Sequence, residues 1–319
     1  MIQDIRPYFL DNHYRPEEKL SKDSRIVFIR DNSFLINEEA AKEGRIEFPK
    51  GADLEKNTAD GAISCLSEDD FVYIFSIGKE SFFLSLEDFG ESKNVDEPGN
   101  FGRETGKVVS LFDKQEFSFT QLSTIRGKEL APKYNVFAAF TAYHLKEWYS
   151  TTIYCGKCGS KNLNDTKERA RRCPHCGNMT YPRINPAVII GITDKNTNKI
   201  ILTKYNRGYA NFALVAGFTE IGETMEGTVA REVMEEVGLK VTNIRYYKSQ
   251  PWGVASDILM GYFCDVEGDT TIHMDNEELK LAKWFSPEEI ELQPTPYSLT
   301  NEMMSLFKDR GYGGTIKYK

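Results

Sequence analysis

Residues Gly217–Leu239 read GFTEIGETMEGTVAREVMEEVGL. Val229, Val233 and Val237 recur every four residues, the repeat that lays one buried stripe along an α-helix. Gly217 and Gly222 allow a tight loop leading into a helix that starts near Thr224. Gly238 is placed to end that helix in a left-handed conformation. Glu232 and Glu236 are also four apart, with Glu235 beside them, so three carboxylates project from a neighbouring face. Left bare they repel one another. Hard divalent cations relieve that repulsion, and carboxylate oxygens are the ligands that Mg²⁺ and Mn²⁺ prefer. Arg231 is placed to pair with Glu223 and brace the loop against the helix. The plainer alternative is an exposed acidic helix, decorated with charge.

Working outward, AVIIGIT (187–193) and KIILTK (199–204) are short apolar runs on either side of DKNTN, the pattern of a hairpin. Further strands are expected at Asn243–Ser249, Ile258–Val266 and Ala282–Phe285, with helices at Pro287–Ile290 and Leu299–Phe307. Strands mixed with helices predict an α/β fold, a mixed sheet covered by helices on its faces.

Upstream stands a second pattern: Cys155-x2-Cys158, fourteen residues, then Cys173-x2-Cys176. Each pair forms a tight turn that aims two thiolates at one cation. Two such turns complete a closed four-sulfur site, for which Zn²⁺ is the natural occupant. With no coordination position left open, that zinc is structural. His175 lies within the second pair and stays outside the ligand set. Lys157, Lys161, Lys167, Arg169, Arg171 and Arg172 make the segment basic against Asp165 and Glu168. A solvated surface is the plainer reading of that charge; contact with a phosphate is the sharper one. Cys65 and Cys264 sit in apolar runs and read as small core residues.

The chain before this segment reads as strand-rich, with Ser24–Arg30, Phe71–Ser76 and Ser81–Leu86 as strands and loops at Gly51–Gly61 and Glu91–Gly106. Asn135–Tyr149 reads as a helix, on which His144 is a packed core residue. Three domains are therefore expected: a strand-rich domain ending in a helix over 1–150, a zinc ribbon over 151–182 and the carboxylate-bearing domain over 183–319. The 319 residues are 40% hydrophobic and 28% charged, an ordinary globular composition. A formal net charge of −8 argues against a chain whose main work is coating nucleic acid. No stretch has the length of apolar sequence that spans a bilayer, and the N-terminus lacks the layout of an export signal, so the expected location is the cytoplasm.

The first stretch matches at every position the Nudix box, G-x5-E-x7-R-E-U-x-E-E-x-G-U with U aliphatic, in which Gly217, Glu223, Arg231 and Gly238 are the structural positions. With the four-cysteine ribbon before it and Ser249-Gln250-Pro251-Trp252 after it, the chain resembles the NADH pyrophosphatase (NAD diphosphatase) branch of the Nudix superfamily. The likeness is carried by residues 135–305. It implies a Nudix α/β/α sandwich preceded by a zinc ribbon and an N-terminal domain, usually as a homodimer. It also implies one structural Zn²⁺ and two or three catalytic Mg²⁺ or Mn²⁺ ions, held by Glu232, Glu236, Glu278 and the Ala216 carbonyl. Glu235 or Glu236 is implied as the residue that orients or deprotonates water. Glu168, Tyr181, Gln250, Pro251, Trp252, Glu278 and Thr300 match substrate-contacting positions. The implied reaction is hydrolysis of NAD(H) to nicotinamide mononucleotide and AMP. Removal of NAD caps from RNA and hydrolysis of ADP-ribose are the alternatives within the same chemistry. A nucleotide-sensing module without catalysis is the reading of another class, and the complete carboxylate set speaks against it. One departure bears on specificity: the branch continues its motif with Pro-Phe-Pro, where this chain has Gly253-Val254-Ala255.

Overall fold

The computed structural model describes residues 1–56, 70–86, 116–208 and 210–316. Cys65, residues 57–61 and the loop expected at Glu91–Gly106 lie outside these. Two compact units divide the chain: Asp4–Arg183, and Ile184–Lys319 together with Met1–Gln3.

In Asp4–Arg183, β1 (Leu10–Asp11), β2 (Arg25–Val27), β3 (Ile29–Arg30) and β4 (Ser33–Asn37) precede two short helices, α1 (Glu38–Lys42) and α2 (Gly51–Lys56). After these come β5 (Phe71–Ile77), β6 (Glu80–Ser85), β7 (Phe117–Gln121), α3 (Leu122–Gly127) and α4 (Lys133–Thr151). One four-stranded sheet has the order β1-β5-β6-β2, and a second sheet has the order β3-β4-β7. The run expected as a single strand, Ser24–Arg30, thus changes sheets at Phe28. That side chain is buried with Ile26, Leu35, Leu54 and Phe117. A pattern of apolar residues does not reveal such a change, because both halves are equally buried. Gly51–Lys56, expected as loop, is helical, and Asp53 accepts the Lys50 N–H at 2.8 Å across its first turn. Three two-residue strands, β8 (Leu163–Asn164), β9 (Arg171–Arg172) and β10 (Met179–Thr180), form the ribbon in the order β10-β9-β8.

The other unit contains β11 (Asn185–Asp194), β12 (Lys199–Tyr205), β13 (Val215–Phe218), α5 (Met225–Val237), β14 (Val241–Trp252), β15 (Asp257–Val266), β16 (Leu279–Phe285), a 3₁₀ turn at Pro287–Glu289, and α6 (Leu299–Thr315). The sheet order is β14-β15-β11-β12-β16, with β13 also paired to β11. β11 runs parallel to β15 and antiparallel to β12 and β13, so the sheet is mixed. β11 and β12 meet as the expected hairpin through Thr193↔Ile200 and Asp194↔Lys199.

Alternation along the central strands sorts the two helices onto opposite faces. Val188, Ile190 and Ile192 of β11, with Tyr262 and Cys264 of β15, pack with Val229, Val233 and Val237 of α5. Each of those three valines is fully buried and contributes about 1.5 kcal/mol or more from that burial. Leu299 and Met303 of α6 rest instead on Gly261 of β15, a residue of the opposite parity. The result is an α/β/α sandwich. Met1–Gln3 belongs to this unit: Ile2 is fully buried and donates its N–H to the Tyr297 carbonyl at 2.9 Å. Among the described residues, no helix is long and apolar enough to cross a membrane.

Candidate active site and zinc centre

α5 is capped at both ends by the residues the sequence indicates. The Thr224 hydroxyl accepts the Gly227 N–H at 3.0 Å, and Gly238 takes φ 69°. Arg231 then ties the preceding loop to the helix. Its Nε donates to Glu223 at 2.7 Å and its Nη2 to the Phe218 carbonyl at 2.9 Å, while Nη1 reaches Glu232 and Glu235 at 2.8 and 2.9 Å. These bonds to Arg231, followed by the Glu220 N–H, hold the Glu223 carboxyl down to about 2.

The three helix carboxylates differ in setting. Glu235 has a side chain 57% exposed, Glu232 only 12%, and Glu236 is buried. One Glu236 oxygen, Oε2, has no hydrogen-bond donor. Burial pushes the Glu236 carboxyl up to about 8, the charges of Glu232 and Glu278 push in the same direction, and the Ala216 N–H opposes them. Burial also raises Glu232, against the pull of Arg231. A buried carboxylate oxygen without a donor, with the charges of two further carboxylates acting on its group, fits a divalent cation. Glu278 comes from elsewhere, the loop before β16, whose start is hooked to α5 by the Asp275 N–H donating to the Glu236 carbonyl at 2.9 Å.

Gly217 departs from expectation. It lies within β13, paired with Val188, and its lack of a side chain is what admits Glu232: a Cβ there would fall on the Glu232 carboxyl. Because the displaced atoms are the far end of a flexible side chain, Gly217→Ala is expected to leave the fold intact. It should weaken Mn²⁺ binding about tenfold or more, as loss of supporting contacts around ligands does. A Mn²⁺ titration together with a thermal melt reads both effects.

Tyr205, which has no motif signal, also belongs here. Burial raises its hydroxyl, and Glu236, Glu278 and Glu232 add to the rise. In sequence it is only the last residue of an apolar strand.

The remaining candidates fall in both units. Glu168 and Tyr181 lie in Asp4–Arg183, where the exposed Tyr181 hydroxyl donates to Glu168 at 2.5 Å. Gln250, Pro251, Trp252 and Thr300 lie in the other unit. Pro251 is exposed, Trp252 is buried at the end of β14, and Thr300 is half-buried in the first turn of α6. The Gly253–Ser256 segment is the turn between β14 and β15. Gln250 is fully buried, and its amide is committed to the protein: Nε2 donates to Gln3 at 3.0 Å and to the Tyr297 carbonyl at 2.8 Å, while Oε1 accepts the Leu299 N–H at 2.6 Å. Gln250→Leu strips the first residue of α6 of that acceptor. It is expected to cost about 2 kcal/mol of stability, read as a lower denaturation midpoint.

In the ribbon, Cys155, Cys158, Cys173 and Cys176 bring their Sγ atoms within 4.8 Å of one another. The Cys155–Cys176 and Cys158–Cys173 separations are 3.6 and 3.5 Å. A tetrahedron of sulfurs at ordinary Zn–S bond length has edges of about 3.8 Å, so the four fit zinc. The Lys157 and Cys176 N–H groups donate to Cys155 and Cys173 at 3.4 Å, which favours thiolate. Bonds from the Ser160 N–H and hydroxyl hold Cys158 down to about 5. His175 is exposed and outside the cluster. His144 serves packing, its Nε2 lying 2.6 Å from the Arg183 carbonyl. Much of the basic character is used internally. Arg169 donates to the Ile74 carbonyl at 2.7 Å, Arg171 to the Asn162 carbonyl at 2.8 Å, and Arg172 to Asp165 at 2.6 Å.

A mixed sheet between two helical layers, with a carboxylate helix locked by Arg231 and Glu223, defines a hydrolase of the Nudix class. The profile described as "NUDIX domain" matches residues 183–305, and the "NADH pyrophosphatase zinc ribbon domain" profile matches residues 150–181. The chain belongs to the NADH pyrophosphatase family of Nudix hydrolases. A protein of Haemophilus influenzae (strain PittEE) named NAD-capped RNA hydrolase NudC is 31% identical over 242 residues, covering 72% of this chain and 90% of its own. One of the same name from Vibrio atlanticus is 34% identical over 206 residues, covering 64% of this chain and 74% of its own. A crystal structure of a NUDIX hydrolase from Nitrosomonas europaea is similar over 49% of this chain and 90% of its own, at 21% identity and a TM-score of 0.43.

Proposed function

We propose that the protein hydrolyses the diphosphate bond of NAD(H) to nicotinamide mononucleotide and AMP, and cleaves the same bond in an NAD cap on RNA. The observation that carries this reading is Glu236, buried with one oxygen lacking a donor and pushed up by its burial and by the charges of Glu232 and Glu278. The zinc-ribbon match and the names of the relatives supply the substrate class. In this scheme Glu232, Glu236, Glu278 and the Ala216 carbonyl hold Mg²⁺ or Mn²⁺. Such ions, when bound, neutralise the diphosphate and acidify a water. Glu235, exposed and steadied by Arg231, orients or deprotonates the attacking water, with Glu236 as the alternative. Pro251, Trp252 and Thr300 contact the nucleotide, while Gln250 holds the strand end that carries Trp252. Assembly as a homodimer belongs to the same proposal and is read by analytical ultracentrifugation.

The test is product analysis after incubation with NADH, NAD⁺ and ADP-ribose in Mn²⁺. Nicotinamide mononucleotide and AMP released faster than ADP-ribose is consumed supports the proposal. Faster ADP-ribose turnover overturns the NAD(H) preference and assigns the change to the Gly253–Ser256 turn. For the RNA arm, the exposed Lys157 and Lys167 of the ribbon meet the phosphate chain. Turnover of NAD-capped RNA that falls steeply with salt, while that of free NAD does not, supports their use.

A further inference from the structure

Glu278 differs from the other two proposed metal ligands in its support. Glu232 and Glu236 are fixed by a capped helix whose valines are buried, whereas Glu278 is exposed on a loop. A ligand on a loop binds well only if the loop is held before the ion arrives, because ordering it on binding subtracts from the affinity. At its start the loop is hooked to α5 through Asp275, which also accepts the Glu277 N–H on its side chain at 2.8 Å and the Leu279 N–H on its carbonyl at 3.0 Å.

Asn206 holds the other side of the loop. Asn206 follows β12 directly, just beyond the irregularity between Lys204 and Tyr205. Its backbone N–H donates to the Glu278 carbonyl at 2.9 Å. Its side-chain Nδ2 donates to the Asn276 carbonyl at 2.9 Å and to the Glu277 carbonyl at 3.1 Å. Three consecutive carbonyls, ending at the ligand residue itself, are therefore gathered by a single asparagine. Both side-chain bonds come from one amide nitrogen, which an aspartate lacks and a shorter side chain does not place.

We propose that Asn206 is a positioning residue of the metal site, holding the 276–278 backbone so that Glu278 faces Glu236; this rests on the reading of Glu278 as a ligand. Asn206 touches neither substrate nor ion and acts through Glu278. The neighbouring Tyr205, whose hydroxyl is influenced by Glu236, Glu278 and Glu232, places the end of β12 beside the same carboxylates.

The test is a double-mutant cycle on Mn²⁺ binding by the full chain without substrate, followed by the electron paramagnetic resonance signal of free Mn²⁺. The variants are Asn206→Ala, Glu278→Gln and the pair, each checked by thermal melt. Loss of the two amide bonds is expected to weaken Mn²⁺ binding about tenfold in Asn206→Ala. In the Glu278→Gln background the same change is expected to add less than about twofold, since a residue acting only through Glu278 has nothing left to position. Unchanged binding in Asn206→Ala, or a full additional loss on top of Glu278→Gln, overturns the inference and leaves Glu278 a ligand. Unchanged binding in Glu278→Gln overturns the reading of Glu278, and the role of Asn206 falls with it.

Discussion

Glu236→Gln is expected to lower turnover of NADH by about two to three orders of magnitude, with the fold retained. The substitution keeps the shape of the side chain and removes the charge that the proposed metal shell needs. Its effect on stability runs in the opposite direction. Burial and the charges of Glu232 and Glu278 disfavour its ionised form and push the Glu236 carboxyl from the ordinary carboxylate range up to about 8. A carboxyl raised on folding supports the fold fully at pH values below its unfolded pKa, and that support is lost as pH rises through the folded value. The metal-free wild type is thus expected to lose stability between about pH 4.5 and pH 8, and the glutamine variant to lose less over the same window. Thermal melts in EDTA at pH 5 and pH 8 measure this, and adding Mn²⁺ should close the gap at pH 8. Activity near that of the wild type, or a variant equally sensitive to pH, would count against Glu236 as the buried ligand.

Cys173→Ser is expected to be the most damaging single change to the Asp4–Arg183 unit. Cys173 is buried, and its sulfur lies 3.5 Å from that of Cys158. The ribbon around it has three strands of only two residues each, too little to hold four sulfurs together without an ion. A structural zinc contributes on the order of 10 kcal/mol to the folding of such a module. The variant should be purified without stoichiometric zinc, and its ribbon should be open to proteolysis. Cys264→Ser is the control. That cysteine lies fully buried on β15, far along the chain from the ribbon, so its loss should leave zinc content unchanged. Full zinc occupancy in Cys173→Ser would remove this residue from the ligand set.

Where local spacing fixes geometry, the chemistry was legible in the sequence. The i, i+4 repeats of α5 place its valines and glutamates on definite faces, Thr224 and Gly238 cap it, and Arg231 meets Glu223. Each of these contacts spans no more than eight residues of chain. The two CxxC pairs were legible for the same reason, since each turn aims its own sulfurs. Gly217, expected in a tight loop, lies within β13 instead. Its constraint is the close approach of the Glu232 carboxyl, a contact between a strand and a helix that no turn preference encodes.

The sequence by itself thus determined the identity of the carboxylates and thiolates, the helix that carries the former, and the alternation that assigns each strand residue to a face. Tertiary structure alone decided which of those carboxylates is buried. Glu232, Glu235 and Glu236 are near neighbours in the chain, yet of the three only Glu236 is buried, bonded by the Ala216 N–H of β13 and left with one oxygen lacking a donor. It also decided that Gln250 spends its amide on α6 and that Asn206 gathers the loop of Glu278, seventy-two residues further along the chain. Burial and hydrogen-bond closure depend on which distant segments pack together, whereas periodicity records only what each segment does by itself.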